Sequence, residues 1–460
     1  MSQLRTDSLS FVEAIGQSVA NVSPTLTPAI AVAVVVGTAG TASWLVYVLA
    51  TIALVVVGYN IGKLAGKISA AGSFFIYISR GLSPAAGMLA GWAMLAAYVF
   101  TAMALTGATA LFVQSLVTTF GGPTLPTWIV YLGISALVYL FAVRDIRFSS
   151  RLGLGLEVVS LVIIALVCFL SWKAHGFAMD VKQNTMAGAG MKSVAQSIVF
   201  GIFSYVGFES AATLGKETRN PKQVIPRAVI LTPILAGAVF IVTTYLIVQG
   251  FGDDTTKLAA SSGPLSDIVP GKSSFLTILV YIGATVSCFA CALASINSFS
   301  RILFSLGRYQ FVHKTMGNIH AKHQTPHLAV AIGCLVNFAV CAGLSAHTNT
   351  DILNWCGTIA SYGFIVVYFL CSVASPALLR KTGEAKPMVY AMGVLGCVLM
   401  VLALVGSLYP IPAAPLVYFP YGFAAYMLIG AIWFFVVKSR EPQVLVSIEQ
   451  DLEGVLISAK

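Results

Sequence analysis

One acidic residue stands where acids are costly. Glu209 lies inside the apolar run SVAQSIVFGIFSYVGFESAATLG, near the middle of what reads as a membrane-crossing helix. An ionisable group at that depth costs at least about 3 kcal/mol on insertion scales, so it marks an ion, proton or solute path by default. The plainer alternative is a carboxyl that only ties helices together through hydrogen bonds. Gly201, Ser204 and Gly207 interrupt the same run. A second interruption lies near the start of the chain, where FVEAIGQSVA meets Asn21-Val22-Ser23-Pro24-Thr25-Leu26-Thr27-Pro28. Two prolines four residues apart remove two backbone donors and clash with the preceding turn. Ser23, Thr25 and Thr27 place hydroxyls beside the freed carbonyls. Proline alone often does no more than bend a membrane helix. A true break does more, because half-helix N-termini offer N–H groups to a carboxylate and exposed carbonyls suit an ammonium. Together they match a zwitterion at both ends.

The elements that must position these breaks are membrane helices. Of 460 residues 58% are hydrophobic and 9% charged, against roughly 25% charged in a soluble domain. Apolar stretches of about 20 residues, the length a bilayer core needs, recur near 11–37, 43–62, 85–118, 127–143, 152–172, 193–214, 228–250, 274–304, 327–346, 352–378, 388–408 and 417–437. Twelve spans are expected, with segment 70–84 either re-entrant or an extension of the third. With the N-terminus inside, 21 of the 26 Lys and Arg residues fall in cytoplasmic segments; Lys173, Lys182, Lys192, Lys257 and Lys272 fall outside. That bias places both termini in the cytoplasm of a multi-pass protein of the cell membrane. The breaks fall in spans one and six, corresponding members of two five-helix halves, an arrangement that puts a solute site at the bilayer midplane. The expected layout is an N-terminal tail (1–10), one transmembrane domain (11–437) with inverted repeats near 11–172 and 193–378 and extra helices at 388–437, and a C-terminal tail (438–460).

Other features are read more plainly. The net charge of +10 is spread over short loops and gives no nucleic-acid patch. All eight cysteines lie in apolar segments, and Cys288 and Cys291 read as small helix-facing residues rather than a redox or metal pair. No cleavable signal peptide is visible. His313, His320, His323 and His327 cluster before span nine without a cysteine or acid to complete a metal site. Asp253 and Asp254 read as solvated loop residues, and Glu217, Lys216, Arg219 and Lys222 as loop and inner-gate ion pairs. Gly87 and Gly91 read as close helix contacts.

Three stretches resemble the amino acid–polyamine–organocation superfamily of permeases. FGIFSYVGFESAATLGKETRNPKQVIPRAV matches its sixth helix and loop at Phe203, Gly207-Phe208-Glu209, Glu217, Asn220-Pro221, Ile225-Pro226 and Ala228. KISAAGSFFIYISRGLSPAAGMLAGWAMLAAY is similar to its third helix, and NSFSRILFSLGRYQFVHKTMGNIHAKHQTPHLAV to the end of helix eight and the following loop. The resemblance implies an all-α integral membrane fold of twelve helices, a LeuT-like 5+5 inverted repeat with broken helices 1 and 6 plus two C-terminal helices. It implies a substrate carboxylate facing Ser23, Pro24, Thr25, Leu26 and Thr27, and an amino group facing Phe203, Ser204, Val206 and Gly207. Tyr98 matches the family's helix-three tyrosine, and Glu209 an acid that couples or senses protons. Ser295, Asn297 and Tyr362 are nominated by position.

Departures matter as much. SPTLTP stands where the family has a glycine-rich break, and Arg308-Tyr309-Gln310 where it has R-D-G. Helix five carries Ser160, with Glu157 nearby, where a proton-coupled branch has a lysine. Glu209 or Glu157 would therefore couple protons, or Ser160 with Ser295 or Ser298 would line a sodium site, or the protein exchanges solutes. The expected function is secondary active transport of amino acids or related amines, neutral or zwitterionic ones first, by symport or antiport and alternating access. A membrane enzyme or a channel is the alternative class, but no nucleophile constellation, filter or P-loop supports either. No cofactor beyond a coupling proton or sodium is expected, no enzymatic activity, and no partner beyond substrate and lipid, as monomer or homodimer.

Overall fold

The computed structural model describes residues 4, 8–68, 73–187, 189–409 and 411–440. Helices start where the chain can satisfy or omit its first amide hydrogens. Pro84, Pro221 and Pro387 each open one at the first position, where a missing N–H costs nothing. Asp145 caps another by accepting from Arg147 N at 2.9 Å.

The helices α1 (Phe11–Val22), α2 (Val32–Ala39) and α3 (Ser43–Ala65) come first. They are followed by α4 (Ser73–Gly81), α5 (Pro84–Thr119), α6 (Thr127–Ala142) and α7 (Ile146–Ala174). The short α8 (Val181–Asn184) precedes α9 (Met191–Phe203) and α10 (Pro221–Gly250). Two more short helices, α11 (Thr255–Ala259) and α12 (Pro264–Asp267), lead to α13 (Ser274–Arg308) and α14 (His327–Gly343). The chain ends in α15 (Asn349–Lys381), α16 (Pro387–Leu408) and α17 (Phe419–Arg440). Strand pairing among the described residues is limited to an isolated parallel bridge between Leu9 and Thr218.

Among the described residues, eight helical segments are long and apolar enough to cross a membrane, and α6, α9 and α14 are shorter apolar helices. The first segment, Phe11–Ala65, is 55 residues long, far beyond the ~20 that one crossing needs. It is divided at Ser23 and at Gly40. Val394, Leu402, Ile429 and Phe435 on α16 and α17 are exposed, a surface suited to lipid rather than water. Helix α7 starts earlier than expected because Asp145 caps it, and α10 because Pro221 opens it. Segment 70–84 is not a plain extension of α5. From residue 73 it is the separate helix α4, and 69–72 lie outside the described residues, as does the expected C-terminal tail from 441 onward.

The buried centre is built on α5, which packs along α13 and α15. Helix α1 sits among α7, α10 and α13, α3 lies against α10 and α9, and α6 against α14. Helices α16 and α17 cover α15 from outside. Gly87 lets α4 lie on α5: a Cβ there would fall 1.8 Å from Ser79 Oγ. That is the close-contact role expected of it.

Candidate solute site

Both predicted interruptions are real departures from helix. Helix α1 stops at Val22, and Ser23 takes left-handed dihedrals (φ 50°, ψ 68°), which cost a non-glycine residue about 1–2 kcal/mol. The chain resumes as a wide π turn over Thr27–Ala31 and then α2. Pro24 and Pro28 explain the position, since neither can donate to the turn before it. Ser23 is held by a 2.9 Å hydrogen bond between its hydroxyl and that of Ser287 on α13. The second break follows Phe203. Residues 204–209 form turns, Gly207 has φ +92°, and a 3-10 turn covers Ser210–Thr213.

The two breaks touch. Asn21 Nδ2 donates to Gly207 O at 3.4 Å, Ser210 Oγ donates to Gln17 O at 3.2 Å, and Ala211 N donates to Ser18 Oγ at 2.9 Å. A Cβ on residue 207 would lie 2.3 Å from Asn21 Nδ2. Glycine is therefore required twice there, by its φ and by this approach. Gly207→Ala is expected to lower stability by about 2 kcal/mol or more and to abolish transport. Thermal melting and solute exchange at wild-type levels would refute the contact's importance.

A cavity of about 360 Å³ opens at this junction. The first break lends it Asn21, Val22, Leu26, Thr27, Ile30 and Ala31, and the second Phe200, Phe203, Ser204 and Val206. Thr101, Ala104 and Leu105 of α5, Cys291 of α13, and Leu353, Asn354, Gly357, Thr358, Ala360 and Ser361 of α15 complete most of the wall. Its polar side chains are amides, hydroxyls and the Cys291 thiol, and among the described residues no charged side chain lines it. Thr101, Thr358 and Ser361 donate to the carbonyls of Ala97, Asn354 and Gly357 at 2.7–2.8 Å. With those protons committed to their own helices, the hydroxyls can only accept from a solute.

Two buried acids, Glu209 and Glu157, stand behind the wall. Glu209 accepts from Tyr98 of α5 at 2.8 Å and, through its other oxygen, from Tyr368 of α15. Glu157 of α7 accepts from Ser287 at 2.8 and 3.1 Å. Because Ser287 also meets Ser23, one serine links that carboxyl to the left-handed residue of the first break. Thr25 and Ser160 are hydrogen-bonded to each other.

One end of the bundle is latched. Glu217 and Arg301, both fully buried, form a two-pronged pair at 3.1 Å on each prong. Ser8 N and Leu9 N donate to Glu217 O at 2.9 Å, and Arg219 N donates to Leu9 O at 2.8 Å. Glu13 binds Arg151 Nε at 2.8 Å. The cavity lies toward the opposite end, where α15 begins.

A family model for amino acid permeases matches residues 14–440. The chain belongs to the amino acid permease family. Among its relatives is the low-affinity putrescine importer PlaP of Escherichia coli K12, 25% identical over 69% of this chain and 71% of that protein. The branched-chain amino acid permease BcaP of Bacillus subtilis is 20% identical over 80% and 82%. The serine/threonine exchanger SteT of the same organism is 22% identical over 76% and 78%. With its apolar helices, this permease is a multi-pass membrane protein of a transporter family.

Of the residues nominated from sequence for solute binding, Leu26, Thr27, Phe203, Ser204 and Val206 line the permease's cavity. Ser23, Pro24, Thr25 and Gly207 shape the breaks beside it. Tyr98 turns to Glu209, Ser295 donates to Asn21 Oδ1 at 2.6 Å, and Tyr362 packs on Phe423 with ring centroids 5.9 Å apart. Asn297 belongs to the latch: its Nδ2 donates to Ser149 and its carbonyl accepts from Arg301. Of the serines nominated for an ion, Ser160 is hydrogen-bonded to Thr25, Ser295 to Asn21, and Ser298 to Gln17 and Thr213.

Several sequence readings need correction. Cys291 is more than filler, because its thiol donates to Asn21 O at 2.9 Å and it lines the cavity. Asp253 is not a plain solvated residue: its side chain is 15% exposed and 3.5 Å from Lys182. Asp254 is exposed as expected, and it also caps α11 by accepting from Lys257 N at 2.9 Å. Glu217 pairs with Arg301 at the end of α13 rather than with its loop neighbours Lys216, Arg219 and Lys222 alone. Among the histidines, the His320 and His323 rings lie 4.8 Å apart, tilted by 35°, and His320 Nδ1 accepts two backbone N–H groups.

Proposed function

We propose that this permease is a secondary active transporter of neutral amino acids, working by alternating access in the cytoplasmic membrane with both termini inside. The carrying observation is the cavity between the two breaks, whose wall is polar in places but uncharged. A diamine would bring two ammonium groups to a wall without a carboxylate, and stranding an ion from water costs several kcal/mol. A zwitterion neutralises itself over a short distance and uses the amides and carbonyls of interrupted helices. The apolar side of the wall, with Leu26, Ile30, Leu105 and Phe203, suits an aliphatic side chain.

Twelve spans in a 5+5 repeat are part of this reading, with one transporter domain between two tails. The packing supports it. Taking α1–α2 and α9 as spans one and six, the contacts of α3 with α10, α5 with α13 and α6 with α14 join members five apart in order. The contact of α5 with α15 then mirrors that of α13 with α7, as α9 with α3 mirrors α1 with α10. A cavity at one end and a latch at the other support a conformation open to one side. Coupling to protons is assigned first to Glu209 and second to Glu157. Exchange is the second reading, favoured by likeness to a serine/threonine exchanger; sodium coupling through Ser160 with Ser295 or Ser298 ranks after it.

The test is counterflow in proteoliposomes with labelled leucine, methionine, serine, arginine and putrescine. Neutral amino acids are expected to exchange while putrescine does not. Putrescine exchange at comparable rates would overturn the substrate class, and silence of every amino acid and amine would sink the transporter reading.

A further inference from the structure

A second polar cluster lies away from the cavity, where the connection between α7 and α9 meets the end of α10. Asp180 caps α8, accepting from Lys182 N and Gln183 N at 3.0 and 3.2 Å. Gln183 Nε2 donates to Asp180 Oδ2 at 2.6 Å and to Tyr245 O at 2.9 Å. Asp253 follows α10 in a left-handed conformation, and its carboxyl meets that of Asp180. Gln249, one turn before it, is anchored by Nε2 on Ala178 O at 2.8 Å.

The donors of this cluster are used and the acceptors are not. Gln183 Oε1, Gln249 Oε1 and Asp253 Oδ1 are buried oxygens without a hydrogen-bond partner among the described residues. Gln183 is fully buried and Gln249 is 8% exposed. Gln183 Oε1 shares its amide with the nitrogen that holds Asp180, so it lies beside that carboxylate. Each orphaned buried acceptor costs about 1–3 kcal/mol. Lys182 reaches only Asp253 Oδ2, at 3.5 Å, and is otherwise largely exposed.

Two carboxyls in contact need a positive charge or a proton between them. Burial and the neighbouring Asp180 push Asp253 up. Burial also works to raise Asp180, but hydrogen bonding with Asp253 and Gln183 brings it below its usual range. One shared proton would satisfy one oxygen and leave the glutamine acceptors empty. A cation held among these oxygens would supply both the missing positive charge and a partner for the unpaired acceptors. Carboxylate and amide oxygens on a connecting loop are the donor set that a flexible, oxygen-preferring ion accepts, and the more rigid octahedral demand of magnesium fits them less well.

We propose that Asp180, Gln183, Gln249 and Asp253 bind a hard cation of the calcium class, which pins the α7–α9 connection to the end of α10. The site is independent of what the permease carries. Terbium serves as the probe, because Tyr245 OH lies 2.7 Å from Asp180 N and Trp44 Nε1 lies 3.3 Å from Gln183 O, close enough to sensitise its emission. Adding TbCl3 to chelator-treated full-length protein is expected to give saturable emission that CaCl2 displaces at far lower concentration than NaCl. CaCl2 is also expected to raise the melting temperature. Both responses should vanish in Asp253→Asn and in Gln249→Leu, the second of which removes an acceptor without touching a carboxylate. Absence of saturable emission in the unmodified protein, or responses that survive in both variants, would overturn the site. A melting temperature that follows pH and ignores CaCl2 would assign the pair to a shared proton and overturn it equally.

Discussion

Arg301→Met is expected to cost this permease about 3–5 kcal/mol of stability, the usual penalty for stranding one partner of a buried ion pair. Glu217 and Arg301 are both shut away from solvent and meet through two 3.1 Å hydrogen bonds. Removing the guanidinium leaves a carboxylate with neither water nor counter-charge. Removing both charges together, as Glu217→Met with Arg301→Met, strands nothing and is expected to recover most of the loss. Melting curves of the three proteins in detergent decide it; a single variant as stable as the parent would show that the pair carries little energy. The same pair has a conformational consequence. It closes the latched end, with Asn297 and the Leu9–Thr218 contact around it, and about 1.4 kcal/mol removed from one state shifts a two-state population tenfold. Arg301→Met should therefore expose Thr218, buried here, and a cysteine placed there should label faster with a thiol reagent than in the parent.

Glu209→Gln is expected to flatten the pH dependence of uptake and to end accumulation against a gradient, while solute exchange persists. Glu209 uses each carboxyl oxygen for a different tyrosine, Tyr98 on α5 and Tyr368 on α15, so it joins the second break to both long helices that line the cavity. Glutamine keeps the shape, keeps one acceptor oxygen and cannot take or release a proton. Uptake by the parent should rise as external pH falls if protons drive it inward. Wild-type pH dependence in Glu209→Gln would move coupling to Glu157, where Glu157→Gln removes the proton-binding group that Ser287 links to Ser23, or to exchange without protons.

Both expectations rest on elements whose legibility in the sequence differed. Glu209 stood out because an acid inside an apolar run is costly whatever its neighbours. The first break is legible because Pro24 and Pro28 each remove a backbone donor and disfavour regular helix there on local grounds. Helix positions followed from apolar length, and family membership from motifs around residues 200–229. Those features need only the bonding and solvation of nearby residues.

Which side of a helix faces the cavity was not local. Tyr98 is nominated by its match to a family motif and Tyr362 by position, yet Thr101, one turn from the first, and Ser361, next to the second, line the wall. Successive helical residues point about 100° apart, so choosing the face requires knowing which helices meet. The same holds for Ser287, which bridges Glu157 and Ser23, and for Arg301, which in the sequence is one basic residue among many and in the fold is the partner of Glu217. Hydropathy and backbone chemistry determined that this chain crosses the membrane and where its helices yield. The packing of α1, α7, α9, α13 and α15 decided what meets at those points, because long-range contacts are set by how the helices fit together and not by any one stretch of chain.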